Sequence, residues 1–95
     1  MIELYILNGC PYCIMAVDML KKKKIDYKSI VVSYDKKEEY KKLHKMETFP
    51  QIFIKKGKQK LKIGGLSELT KYFEIVDNFK KNNIKINIID EIYKL

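Results

Sequence analysis

The chain has 95 residues, 46% of them hydrophobic, which provides one compact core and leaves no room for a second domain or a deep internal cavity. Its net charge is +8, from 20 lysines and no arginine. Without arginine there is no bidentate grip on phosphate or guanine, so the lysines are expected to be solvated surface and nucleic acid is not expected as a partner.

Ile2-Glu3-Leu4-Tyr5-Ile6-Leu7 is a β-rich run that stops at the turn signal Asn8-Gly9. Pro11 suits the first turn of a helix, which continues to about Lys24 with Ile14, Met15, Val17, Met19 and Leu20 at helical spacing. Lys21 to Lys24 close it, where cations complement the helix dipole. Tyr27 to Ser33, with Ile30-Val31-Val32 inside, reads as a second strand. Asp35 is expected to cap a polar helix that runs through His44.

Gln51-Ile52-Phe53-Ile54 is a short apolar strand, and Lys56-Gly57-Lys58 turns it back into a weaker strand, Gln59 to Ile63. Gly64-Gly65 breaks the chain. Ser67 then begins a helix with Leu69, Tyr72, Phe73 and Val76 as its inner stripe. The order is β-α-β-α-β-β-α, followed by a C-terminal segment. An α/β fold with a four-stranded mixed sheet flanked by helices is the expectation, with a helix crossing over between a parallel pair and a late antiparallel hairpin at one edge. The last residues, 82–95, fit a strand or a helix, and a final helix packed on the sheet is the weaker expectation.

No apolar stretch is long enough to span a membrane, and Met1-Ile2-Glu3-Leu4 has neither the basic start nor the long apolar run of a signal peptide. The expectation is a soluble, cytoplasmic, monomeric protein with no membrane partner. Its two cysteines both lie in Cys10-Pro11-Tyr12-Cys13. A secreted disulfide framework would need more of them, spread along the chain. A structural zinc ion takes four protein ligands, and outside this motif the chain offers only His44, so no metal is expected.

A close cysteine pair in a reducing compartment therefore points to redox chemistry. Cys10 would stand where strand gives way to helix, with the first free backbone N–H groups directed at its sulfur. The positive end of the helix dipole favours thiolate there over thiol. Cys13 lies one turn further in, close enough for an intramolecular disulfide and more shielded. Cys10 is then the nucleophile and Cys13 the resolving thiol, while Pro11 stiffens the turn.

Cys10-Pro11-Tyr12-Cys13, Thr48-Phe49-Pro50 and Gly64-Gly65, in this order and spacing, resemble the glutaredoxins, a branch of the thioredoxin-fold superfamily. The resemblance covers residues 1–77 and leaves 78–95 as an extension within one glutaredoxin-like domain, 1–95. It implies a thioredoxin-like fold and a thiol–disulfide oxidoreductase with glutathione as cosubstrate and no metal or flavin. Implied partners are glutathione and disulfide-bearing or glutathionylated client proteins, among which ribonucleotide reductase is one candidate that no residue here selects.

The resemblance also implies that Pro50 is cis and frees the backbone of Phe49 to pair with glutathione, and that Thr48 shares that wall. Gly64-Gly65 would let the chain turn close to the γ-glutamyl end, and Ser67 would cap the last helix and meet the γ-glutamyl carboxylate. Tyr12 would line the groove. One position departs from the pattern. Many members carry Lys or Arg three residues before the nucleophile, to hold the glycine carboxylate, where this chain has Leu7. Lys37 is the candidate substitute. Leu7 keeps open the alternative of a redoxin recharged by thioredoxin reductase; a second alternative, against which Pro11 and Cys13 count, is a module in which Cys10 and glutathione from two chains hold an iron–sulfur cluster.

Overall fold

The structure, a computed structural model, describes residues 1–81. Its elements are β1 (Ile2–Ile6), α1 (Pro11–Lys22), β2 (Tyr27–Val31), a 3₁₀ turn (Tyr34–Lys36), α2 (Lys37–His44), β3 (Gln51–Lys56), β4 (Gln59–Gly64) and α3 (Leu66–Lys81). The sheet order is β2-β1-β3-β4. β1 runs parallel to β2, with Ile2 opposite Tyr27, and antiparallel to β3, with Leu4 opposite Ile52. β3 and β4 form the antiparallel hairpin at the edge. The expected element order and mixed sheet are therefore present, and the residues of the tail, 82–95, lie outside those described.

Side chains alternate across a strand, so β1 and β3 each feed two layers. Ile2, Leu4, Ile52 and Ile54 point to one face and pack with Ala16 and Leu20 of α1 and Leu69 and Phe73 of α3. The opposite face is a separate cluster in which Tyr5, Val32, Phe49 and Phe53 surround Cys13. The redox motif thus stands at the end of the sheet, with its second cysteine embedded in an apolar layer.

Glu3 is buried on β1, where Lys60 reaches its carboxylate at 2.8 Å and the Tyr5 hydroxyl donates to it at 2.7 Å. Burial alone would raise the carboxyl of Glu3. The hydrogen bonds from Lys60 and Tyr5, with the charges of Lys60 and Lys55, outweigh it and hold the group below the usual carboxylate range. This network ties β1 to β4 across β3.

Two expected caps are corrected. Asp35 does not start α2: it lies inside the 3₁₀ turn, which Ser33 precedes, and α2 begins only at Lys37. The tighter turn forms first because Lys36 N–H bonds the Ser33 carbonyl at 2.9 Å. Ser67 does not precede α3 but sits in its first turn, because the helix starts at Leu66. The flanking residue is Gly65, whose N–H donates to the Glu68 carboxylate at 3.2 Å. A glutamate three positions into the helix reaching back in this way is one half of a capping box.

Candidate active site

Cys10 itself caps α1. Its backbone is extended (φ −84°, ψ 113°), Pro11 occupies the first helical position, and the Cys10 Sγ accepts the Cys13 N–H at 3.3 Å. Sulfur takes the place that a serine or aspartate oxygen usually fills at a helix start. No acidic residue lies in the first turn of α1 to oppose negative charge on that sulfur. The preceding turn is tied down on both sides: Cys10 N–H bonds the Leu7 carbonyl at 3.4 Å, and the Tyr34 hydroxyl donates to the Asn8 carbonyl at 2.8 Å. Gly9 has φ +75°, which suits glycine in that turn.

The two thiols are both free and differ in access. Cys10 is half-buried, whereas Cys13 is 1% exposed. Burial pushes the Cys13 thiol up to about 12, and both its hydrogen bond with Cys10 and repulsion from any negative charge on Cys10 act in the same direction. A backbone hydrogen bond at Leu7 opposes this only in part. Buried and protonated, Cys13 is a poor nucleophile beside Cys10. Brief alkylation with iodoacetamide at pH 8 is therefore expected to modify Cys10 and leave Cys13 free until the chain is unfolded. Peptide mass mapping after the pulse checks this, and substantial label on Cys13 in folded protein would contradict the burial argument.

Phe49 and Pro50 face the motif across a cis peptide bond. The Phe49 carbonyl lies 3.8 Å from Cys10 Sγ, within range of a thiol donor. From there an open groove of about 670 Å³ runs along Tyr12, Thr48, Phe49 and Pro50 to Gly65, Leu66 and Ser67, and on to Glu68, Lys71 and Glu74 of α3. Six of the sequence-predicted residues, Tyr12, Thr48, Phe49, Pro50, Gly65 and Ser67, are thus brought to one groove beside Cys10. Tyr12 is 62% exposed and stands at its mouth.

Gly64 and Lys37 are not part of that lining. Gly64 is buried at the end of β4, paired with Ile52, and lies under Glu68. Lys37 places its ammonium 5.7 Å from the centroid of the Tyr34 ring, on the side of the Asn8 turn. Leu7 packs with the apolar cluster around Cys13.

Sequence reasoning missed Glu68, Lys71 and Glu74. Glu68 accepts from the Ser67 hydroxyl and from Gly65 N–H, and these two bonds, Ser67 first, hold its carboxyl below the usual range. The signal was present as a Glu three residues after Gly65, the spacing of a capping box.

The network behind Pro50 was also missed. Gln51 is completely buried, and its Oε1 lies 2.7 Å from His44 Nδ1. Its Nε2 has no hydrogen-bond partner among the described residues. A buried amide left without a partner costs about 1–3 kcal/mol.

Residues 2–58 match the glutaredoxin family model. The chain belongs to the glutaredoxin family. It is 40% identical over 72 residues to glutaredoxin 1 of Rickettsia prowazekii, covering 72% of each chain. Against glutaredoxin 1 of Rickettsia bellii it is 39% identical over 74 residues, covering 72% of this chain and 71% of that one.

Among solved structures, this glutaredoxin-family chain superposes on glutaredoxin 1 from Francisella tularensis, crystallised with cacodylate, with a TM-score of 0.68 and 26% identity. That match covers 81% of this chain and 95% of the other. The solution structure of glutaredoxin from Brucella melitensis gives a TM-score of 0.62 at 28% identity over 90% and 92% of the two chains. The fold is thioredoxin-like, and the protein is a thiol–disulfide oxidoreductase of a family that works with glutathione and disulfide-bearing proteins.

Proposed function

We propose that this glutaredoxin-family member uses glutathione to reduce protein–glutathione mixed disulfides and protein disulfides, with Cys10 as nucleophile and Cys13 as resolving thiol. The observation that carries the reading is a half-buried cysteine whose sulfur caps a helix, one turn from a buried thiol and 3.8 Å from the carbonyl of Phe49 in the groove wall. The Cys10 thiolate attacks the glutathione sulfur of a mixed disulfide, and the client leaves as its thiolate. A second glutathione then attacks the Cys10–glutathione disulfide, so that glutathione disulfide departs and the Cys10 thiolate returns.

With a protein disulfide, Cys10 forms a mixed disulfide with the client, and Cys13 then attacks Cys10 Sγ. The client leaves and a Cys10–Cys13 disulfide remains, which two glutathiones reduce. Burial above all keeps the Cys13 proton in place; disulfide formation at Cys10 removes the two lesser contributions, the hydrogen bond and the negative charge of Cys10, and so eases ionisation of Cys13 at the step that needs it.

Tyr12, Thr48, Phe49, Pro50, Gly65 and Ser67 support a glutathione site by lining one groove, and Gly64, outside that lining, is proposed with them as the residue beneath Glu68. Lys37 is proposed for the glycine carboxylate because the Tyr34 ring holds it on the side of the turn before Cys10. A close cysteine pair with no wider disulfide framework suits a reducing cytoplasm, and the clients we propose are disulfide-bearing or glutathionylated proteins.

Leu7, packed into the apolar cluster where a cation would serve glutathione, favours a second reading: recharge by thioredoxin reductase. The two are separated by following reduction of a small glutathione mixed disulfide, with NADPH oxidation coupled either through glutathione and glutathione reductase or through thioredoxin reductase alone. Turnover in the first system is expected. Turnover confined to the second would replace glutathione as the reductant and make Leu7 the cause.

A further inference from the structure

We propose that Gln51 and His44 act as a pair of positioning residues that fix the Phe49–Pro50 wall of the groove against Cys10. The inference rests on the disulfide chemistry proposed above. Gln51 directly follows Pro50 and begins β3, and its side chain is fully buried. Its Oε1 can only accept, so the 2.7 Å contact makes His44 Nδ1 the donor and sets the imidazole tautomer.

His44 is held in turn. Its ring sits 4.5 Å from the Tyr5 centroid and 4.6 Å from that of Phe53, with Tyr40 at 5.8 Å. The end of α2 is fastened by Lys62, whose ammonium donates to the carbonyls of His44 at 2.9 Å and Lys45 at 3.0 Å. The chain of contacts therefore runs from α2 through His44 and Gln51 to Pro50 and the Phe49 carbonyl, which faces Cys10 Sγ at 3.8 Å.

Stability alone does not account for this glutamine. An apolar residue of the same shape would suit its buried place at least as well, because Nε2 has no partner among the described residues. What the amide supplies is direction: one hydrogen bond, aimed from a rigid aromatic setting, at the residue next to the groove wall. Displacing a groove wall by a fraction of an ångström weakens substrate alignment without removing any reacting group.

The test compares the intact protein with Gln51→Met, His44→Phe, His44→Asn and the double variant Gln51→Met/His44→Phe. KM and kcat for a small glutathione mixed disulfide are measured alongside the thermal midpoint. Gln51→Met is expected to melt no lower than the native protein yet to raise KM about five- to tenfold, with kcat within about twofold. His44→Phe should match it, His44→Asn, which keeps a donor near Nδ1, should recover most of the native KM, and the double variant should be no worse than either single one.

A native KM in folded Gln51→Met, a midpoint loss without a KM change, or additive effects in the double variant would overturn the proposal. Should the His44 variants fail to fold, nitrogen NMR of the unmodified protein decides, since an imidazole protonated on Nε2 alone would also overturn it. If the native protein shows no turnover with glutathione, the proposed reductant falls by itself. The same comparison is then made on protein-disulfide reduction through thioredoxin reductase, where an unchanged KM overturns the positioning role.

Discussion

Replacing Cys10 by serine is expected to abolish turnover of glutathione mixed disulfides, whereas Cys13→Ser retains it and loses reduction of protein disulfides. The asymmetry follows from access and protonation. Cys10 Sγ caps α1 beside the Phe49 carbonyl of the groove wall, where a hydroxyl in its place has neither the thiolate nor the nucleophilicity. Loss of an attacking group costs at least about a thousandfold in rate. Cys13 is buried and holds its proton up to about 12, so it does not compete for the first attack and is needed only to expel a bound client. Steady-state assays of both variants on a small mixed disulfide and on a protein disulfide check this. Residual Cys10→Ser activity near the native rate would remove Cys10 as nucleophile, and loss of both activities in Cys13→Ser would make both thiols essential to every cycle.

Gly64→Ala is expected to destabilise the protein by about 1–3 kcal/mol, the scale for a side chain forced into a sparsely allowed backbone conformation. Gly64 has φ +128°, and a Cβ there would lie 2.8 Å from both Cγ and Oε1 of Glu68. The methyl group must drive the Glu68 side chain off Gly65 N–H and so open the cap of α3. For a domain of this size the thermal midpoint should fall on the order of 10 °C. Gly65→Ala is the control, because its φ is ordinary and the nearest atom to a Cβ there, the Pro50 carbonyl oxygen, is 3.7 Å away. Calorimetry on the two variants distinguishes them, and equal midpoints would mean that Glu68 yields without cost.

The two glycines also show where sequence and structure divide the information. Adjacent in the chain and alike in type, they were expected to serve one turn together. Their φ angles and neighbours separate them: Gly64 ends a strand beneath Glu68, and Gly65 flanks a helix and lines the groove. Local sequence cannot make that distinction, because it depends on how the register of β4 against β3 delivers the chain to α3.

The cysteine pair proposed to react stood out in the sequence because its chemistry is local. A proline after Cys10 starts the helix, the helix directs its N–H groups at the sulfur, and a spacing of three places Cys13 one turn inward. The strand and helix order was legible for a similar reason, since apolar periodicity is written within each segment. The caps at Asp35 and Ser67 were misplaced because helix starts depend on competition between neighbouring hydrogen bonds. A 3₁₀ turn and a returning Glu68 side chain won that competition.

What the amino-acid sequence determined by itself was therefore the family and the order of elements, and it singled out the cysteine pair proposed to react, each written in short motifs or segments whose own residues are near neighbours in the chain. Only the tertiary structure decided how deeply Cys13 is buried, which side chains share the groove, and that His44 meets Gln51 behind Pro50. Those properties arise where β1, β3, α2 and α3 meet. Burial, directed hydrogen bonds and the separation of two charges depend on distances that no stretch of sequence contains.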